Sequence, residues 1–338
     1  MGSLDRKKII LLVFTIFMMG ITGIVADLYI RSIQRECDFL NDFNNFTLNE
    51  MRSISIGFQT YDHNTSEDTI QSFMLAKNLN FNAIKLWVGP NYYNYTKYNT
   101  TFLMQIFQAA EDLSLSLFIS SIPTYEVGEQ RGEFPYNATK IQLYLDWLEF
   151  TSSVSRNYDC IAAYNFWIVP FEKDTTTPGE KEDVRKVYLN ITSHLKNIDP
   201  DIKITLFGDP AYSYVPLKSN EYSALGVQPY SLIKNDIQES RIRWLYEEAK
   251  KCKVCVFIDE IGFRTFDTSG RPNLAICDSE EIKYALILEY RNLFEVEMNI
   301  GWTYFMLKDR PNGIEGDFGI YSPDDVLRYS GTAFLQDI

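Results

Sequence analysis

From Met51 to the C-terminus the chain alternates two rhythms. Short apolar runs rich in β-branched and aromatic residues are separated by stretches in which apolar side chains recur every three or four positions. The runs are Ile54–Tyr61, Ala83–Val88, Leu115–Ser120, Ile161–Val169, Lys203–Gly208, Ala224–Pro229, Val254–Asp259 and Ile300–Phe305. Runs of this length bounded by polar or turn residues have the composition of buried strands. Most intervals between them have helical spacing. Ile70, Phe73, Met74 and Lys77 follow the capping-type residue Ser66, and Ile282, Ala285, Leu286, Tyr290, Leu293 and Phe294 keep the i, i+3, i+4 spacing of a buried stripe. Residues 209–223 differ: Pro210, Pro216 and scattered tyrosines read as irregular loop with at most a short helix.

Strands alternating with helices build a parallel sheet with crossover connections. Eight such units fit a (β/α)8 TIM barrel, which takes about 250 residues plus loop insertions. A doubly wound open sheet is the rival, since counting strands does not show closure. No glycine-rich phosphate loop follows an early strand, and that favours the barrel. The pattern predicts one barrel over residues 51–338.

The N-terminus has another character. Arg6, Lys7 and Lys8 precede an uncharged apolar run, Ile9–Ala26, which Asp27 closes. The run is long enough to span a bilayer, and its basic flank places the N-terminus in the cytoplasm. Residues 1–30 are expected to form a transmembrane anchor or a signal segment. Ala26 suits the last position before signal cleavage, but Ile24 is poor two residues earlier, so the uncleaved anchor is favoured. Residues 31–50, rich in Asn, Asp and Glu, read as a short polar stalk. The barrel is expected outside the cytoplasm, either membrane-anchored or secreted. Sequons at Asn45, Asn64, Asn94, Asn99, Asn137 and Asn190 agree with export.

Composition then excludes some partners. A net charge of −13 without a Lys/Arg cluster beyond the N-terminus argues against nucleic acid. Of five cysteines, Cys252 and Cys255 form a CxxC at the start of an apolar run. In extended chain their α-carbons lie about 10 Å apart, too far to bridge, so both read as core thiols. Two histidines, neither near this pair, make a zinc site improbable.

Barrels place functional groups where strands end at the C-terminal face. Read in order, those ends carry Tyr61–His63, Trp87–Gly89, Ser120–Tyr125, Trp167–Glu172, Gly208–Asp209, Gln228–Tyr230, Asp259–Glu260 and Phe305–Asp309. Aromatic faces stack on the C–H-rich faces of sugars, while amides and carboxylates bind their hydroxyls. A saccharide is the partner such a set suits.

Five segments resemble, in order, motifs of one enzyme group. Phe81–Trp87 is similar to its second strand, with Lys85 where Arg is usual. Ile161–Phe171 resembles its fourth strand, which usually ends in Trp-Asn-Glu-Pro; Trp167 and Pro170 are in place, but Ile168 and Val169 replace Asn and Glu. Val227–Tyr230 resembles a sixth-strand His-x-Tyr, with Gln228 for His. Phe257–Phe263 matches the seventh-strand Glu-x-Gly. Gly301–Phe305, followed by Gly316–Ile320, resembles the eighth strand and its loop. The group is the clan A glycoside hydrolases, cellulase- and mannanase-like, of the family 5 type.

The resemblance implies a retaining mechanism with Glu260 as nucleophile, Tyr230 as its hydrogen-bond partner and Lys85 as its positive neighbour. It places Trp87, Trp167, Gln228, Tyr230, Trp302 and Phe305 in the saccharide site, Phe305 at the sugar-platform Trp position. It also implies a loss. Val169 cannot donate a proton, and a general acid contributes about 10²–10⁴-fold. Glu172 is the candidate substitute acid; Glu126, Glu129 and Glu133 are further ones. The expected function is an extracytoplasmic glycoside-hydrolase-like barrel that engages β-linked oligo- or polysaccharides, with hydrolysis weak or absent. An active retaining hydrolase or transglycosylase using Glu172, and a surface structural protein without ligand, are the alternatives. None of these chemistries requires a metal or organic cofactor.

Overall fold

Eight parallel strands pair in sequence order and close on themselves, β1 bonding both β2 and β8. The computed structural model describes residues 47–56, 65–88, 100–121, 138–167, 178–208, 215, 217–218, 220–229, 238–265, 276–309 and 318–338. The strands are β1 (Arg52–Ile56), β2 (Ala83–Trp87), β3 (Ser116–Ser121), β4 (Ile161–Trp167), β5 (Ile204–Gly208), β6 (Ala224–Val227), β7 (Cys255–Ile261) and β8 (Trp302–Tyr304). Around them lie α1 (Ser66–Asn78), α2 (Thr100–Asp112), α3 (Ala138–Ser155), α4 (Pro178–Ile198), α5 (Glu239–Lys250) and α6 (Glu280–Arg291). The closed order removes the open-sheet rival. Between β5 and β6 the described residues contain no helix.

The expected helices are present; Phe73, Leu286, Tyr290, Leu293 and Phe294 are buried as expected, whereas Met74 and Ala285 are not. Thr65 rather than Ser66 caps α1, accepting from the Asp68 amide at 3.1 Å. The helix buries Thr69, Ser72, Phe73 and Ala76 and leaves Met74 46% exposed. In α6 the buried positions are Lys283, Leu286, Ile287, Tyr290 and Arg291, while Ala285 faces solvent. Lys283 is tolerated there because its ammonium donates to the Gly319 carbonyl at 2.9 Å.

Strand alternation sorts side chains into two layers. Ile54, Ile84, Leu117, Tyr164, Leu206 and Ile258 face the helices within the main core. The lower interior holds Met51, Ala83, Phe118, Ala162, Ala163, Ala224, Cys255 and Phe257, with Leu48 beneath. Small residues there make room for the Phe118 and Phe257 rings, whose centroids are 6.3 Å apart. Leu48–Glu50 is a 3-10 turn whose Leu48 packs into this lower layer. The apolar run 9–26 lies outside the described residues. Among those described, no helix is long and apolar enough to cross a membrane. Cysteine usage is also corrected. Cys252 is a free thiol, but Cys255 is disulfide-bonded.

Two register shifts break the alternation. Leu117 pairs with Ile161 and the next residue, Phe118, with Ala163, so β4 carries an extra residue, and Ala162 and Ala163 both lie inside. Ile258 pairs with Trp302 and Ile261 with Tyr304, three steps on β7 against two on β8. Such a bulge puts two consecutive residues on one face of the sheet. In β7 those residues are Asp259 and Glu260.

Gly226 is where β6 allows this. A Cβ there would come within 2.4 Å of the Asp259 Cβ, 2.9 Å of Phe257 Cζ and 3.0 Å of the Phe207 Cβ. Gly226→Ala should therefore lower stability by about 1–3 kcal/mol, the range for overpacking an interior. Urea unfolding checks it, and a variant as stable as the parent would mean that β6 is not pressed against Asp259.

Candidate active site

Above the small-residue floor, alternate positions on β2, β4, β5 and β7 turn polar. Lys85 follows Ala83 by two, Asn165 follows Ala163 by two, and Thr205 opens the inner face of β5. Lys85 is 1% exposed, and its ammonium sits against the Asp259 carboxylate, which is fully buried. The same ammonium reaches Glu260 Oε2 at 3.3 Å. Asn165 Nδ2 donates to Asp259 Oδ1 at 2.8 Å, and Thr205 Oγ1 donates to Asn165 Oδ1 at 2.9 Å. From β6, Gln228 Nε2 donates to Glu260 Oε2 at 2.8 Å. Donors and acceptors of five strands thus meet in one belt, as buried charge requires.

Aromatic rings close the belt on the side of β2, β4 and β5. The Lys85 ammonium lies 3.7 Å from the Phe207 ring centroid and 4.7 Å from that of Trp87, both within cation–π range. Trp167 stacks on Phe207 at 6.0 Å, and Trp87 meets both rings edge-on at 6.3 and 5.7 Å. The Trp87 indole N–H donates to Ser55 Oγ at 2.8 Å, which fixes that ring from β1. Trp167 and Gln228 are partly exposed and Glu260 is 9% exposed, whereas Lys85, Asp259, Asn165 and Phe207 are buried. A ligand at this mouth would meet Trp167, Gln228 and Glu260.

Burial raises the Asp259 carboxyl above the usual carboxylate range. The Lys85 charge and hydrogen bond oppose the rise, the Glu260 charge adds to it, and the Asn165 amide lowers it.

Of the residues expected from sequence, Lys85, Gln228 and Glu260 come together, with Trp87 and Trp167 beside them. Trp302 does not join them. It lies on the outer face of β8, stacked on Phe334 at 6.0 Å and edge-on to Phe81 at 6.1 Å, because alternation on β8 turns Thr303 inward instead. Phe305 ends β8 on the inner side but is only 3% exposed, packed on Phe318 at 5.4 Å, so it offers little face to a sugar. Ile168, Val169, Pro170, Glu172, Tyr230, Glu126, Glu129 and Glu133 lie outside the described residues. Asp259, Asn165, Thr205 and Phe207 had no assigned role. Asn165 could have been found by extending the two-residue phase back from Trp167; Thr205 and Phe207 follow only from the β4–β5 register, and Asp259 only from the β7 bulge, since strict alternation puts it opposite Glu260. Among the described residues no His, Cys, Asp and Glu cluster could hold a metal.

The closed eight-stranded barrel has the fold of solved glycoside hydrolases. No protein-family model and no curated protein matches the chain. Solved structures do. An FMN-binding β-glucuronidase from Facaelibacterium prausnitzii superposes with a TM-score of 0.58 at 16% identity, over 87% of this chain and 45% of its own. A Bacteroides uniformis β-glucuronidase, solved with a covalently bound cyclophellitol-6-carboxylate aziridine, gives 0.61 at 14% identity, over 85% and 35%. A Rhizomucor miehei β-1,3-glucanosyltransferase, an active-site mutant in complex with laminaritriose, gives 0.59 at 14% identity, over 83% and 96%. The chain spans less than half the length of these glucuronidases and nearly all of the glucanosyltransferase. Likeness at these identities shows the fold.

Two outcomes test the belt. Lys85→Met leaves Asp259 buried without its partner and should cost about 3–5 kcal/mol, whereas Lys85→Met with Asp259→Asn should recover most of that loss. A double variant as unstable as the single one would locate the cost in packing. The second concerns pH. A carboxyl raised by folding contributes stability that is complete below its unfolded-state pKa and is lost as pH rises through the folded value. The unfolding free energy of the parent, minus that of Asp259→Asn, should therefore fall over that rise. A difference that grows instead would mean that the Lys85 charge outweighs burial.

Proposed function

We propose that this protein is a saccharide-engaging barrel of the clan A glycoside-hydrolase type, tethered outside the cytoplasm, with a retained nucleophile position and weak or absent hydrolysis. The observation that carries the reading is Glu260. It ends β7 on the inner face of the barrel, contacts Lys85 and accepts from Gln228. A carboxylate held by donors at that place is what attack on an anomeric carbon, or recognition of sugar hydroxyls, needs. The partly exposed Trp167 beside it suits a pyranose face.

The neighbouring folds support a carbohydrate ligand, laminaritriose being the one held by the glucanosyltransferase. β-Linked oligo- or polysaccharides are the proposed class. Val169 at the acid position supports weak turnover, because ordinary alkoxide leaving groups need a proton. The apolar run 9–26 with its basic flank supports the tether, and the Cys255 disulfide supports an oxidising compartment.

Aryl glycosides with good leaving groups, assayed beside natural β-linked oligosaccharides, provide the test. Saturable oligosaccharide binding, with turnover confined to the activated substrates and lost in Glu260→Gln, is the expected result. Cleavage of both substrates, lost in Glu172→Gln, would instead establish a substitute acid. Neither binding nor cleavage would leave a structural barrel. Val169→Glu with Ile168→Asn should raise turnover of unactivated glycosides by at least ~10²-fold, the lower end of what a general acid supplies. A folded double variant without that gain would mean that the sugar site, and not only the acid, has changed.

A further inference from the structure

The mechanism above uses Glu260 but gives no role to the carboxylate beside it. Asp259 is fully buried beneath the mouth. It is nevertheless among the most tightly engaged groups in the barrel. Oδ1 accepts from Asn165 at 2.8 Å, Oδ2 accepts from Lys85, and Asn165 is itself held by Thr205. Glu260 takes the outer side of the same ammonium at 3.3 Å while Gln228 holds its Oε2 at 2.8 Å.

Geometry ranks the two carboxylates as partners of Lys85. Asp259 is the nearer and drier one, and Glu260 the farther, partly solvated one. The Phe207 and Trp87 rings at 3.7 and 4.7 Å close the other side of the ammonium. Lys85 therefore has two stations, one deep on Asp259 and one outward on Glu260, and Asp259 decides which is occupied. If the deep charge were absent, the ammonium would turn to Glu260 and draw Oε2 away from Gln228.

We propose that Asp259 is a positioning residue: by holding Lys85 at the inner station it leaves Glu260 seated on Gln228 and aimed at the mouth. The bulge in β7 makes this possible, since it brings both carboxylates to the same face as Lys85. The groups that meet Glu260 from the described elements are the charged Lys85 on β2 and Asp259 on β7 and the neutral Gln228 on β6. The proposal rests on the reading that Glu260 faces the saccharide, but its first test does not require that reading.

That test follows the side-chain amide signal of Gln228 by NMR on protein labelled with ¹⁵N-glutamine, assigned by its loss in Gln228→Leu. Asp259→Asn keeps the shape and the Asn165 bond while removing the charge, and it should displace the signal. Ile106→Val, a mild core loss on α2, should leave it in place. If Asp259→Asn does not fold, Asp259→Ser, which also removes the charge but keeps the Lys85 ammonium and leaves room for water beside it, is read the same way, and displacement is again expected. A Gln228 signal unmoved in a folded Asp259 variant would overturn the proposal. The second measurement is affinity for the tightest oligosaccharide found, which Asp259→Asn should weaken about tenfold. Parental affinity in that variant, with lower stability alone, would reduce Asp259 to a structural residue. A parent protein that binds no saccharide would refute the proposed function, while the amide signal would still decide the role of Asp259.

Discussion

The Lys85 ammonium is the constraint around which the barrel interior is arranged. A cation placed 1% exposed at the centre of a closed sheet must meet an anion and enough dipoles to replace its water. Asp259 is the anion, Asn165 and Thr205 fix Asp259, and the Phe207 and Trp87 rings supply the remaining contact. Asp259 lies on β7, Asn165 on β4, Thr205 and Phe207 on β5, and Trp87 shares β2 with Lys85. The pair is consequently a cross-barrel tie: it can form only when β2, β4, β5 and β7 have closed in the correct register. It also explains the small residues nearby. Gly226 stands where a side chain would strike Asp259 and Phe207.

Register is what turns this tie into a site. A regular β7 would face Asp259 inward and Glu260 toward the helices, where a carboxylate would find only the apolar core. The extra residue between Ile258 and Ile261 restores Ile261 to the outer layer after both acids have faced in. The bulge thus does two things in one step: it supplies a second carboxylate to the interior and returns the strand to its packing phase.

These features differ in how far the chain announces them. Eight apolar runs with helical intervals were legible because strand and helix periods are local and survive in any sequence window. The meeting of Lys85, Gln228 and Glu260 was legible through motif order, since strand ends in a barrel share one face. The helix stripes are legible at Phe73, Leu286, Tyr290, Leu293 and Phe294, but Met74 and Ala285 fit an apolar stripe by type and are exposed, while buried Ser72 and Lys283 find partners that spacing does not reveal. Trp302 was misplaced for a related reason: an aromatic residue near a strand end suits a sugar platform and an outer core equally, and only parity decides. Asp259 was hidden by the bulge, which depends on two strands at once.

The two acids of β7 consequently carry different information about chemistry. Removing Asp259 alone leaves the buried ammonium only the farther, partly solvated Glu260, so Asp259 has a stabilising role whatever the barrel does. Glu260 is under no such necessity. It is the partly solvated member, Lys85 already has a nearer partner, and Gln228 could turn to water at the mouth. A barrel with no use for a carboxylate there could replace Glu260 at much smaller cost than Asp259. On the proposed reading, the saccharide is what meets this group, held by an amide and beside an ammonium near the end of β7.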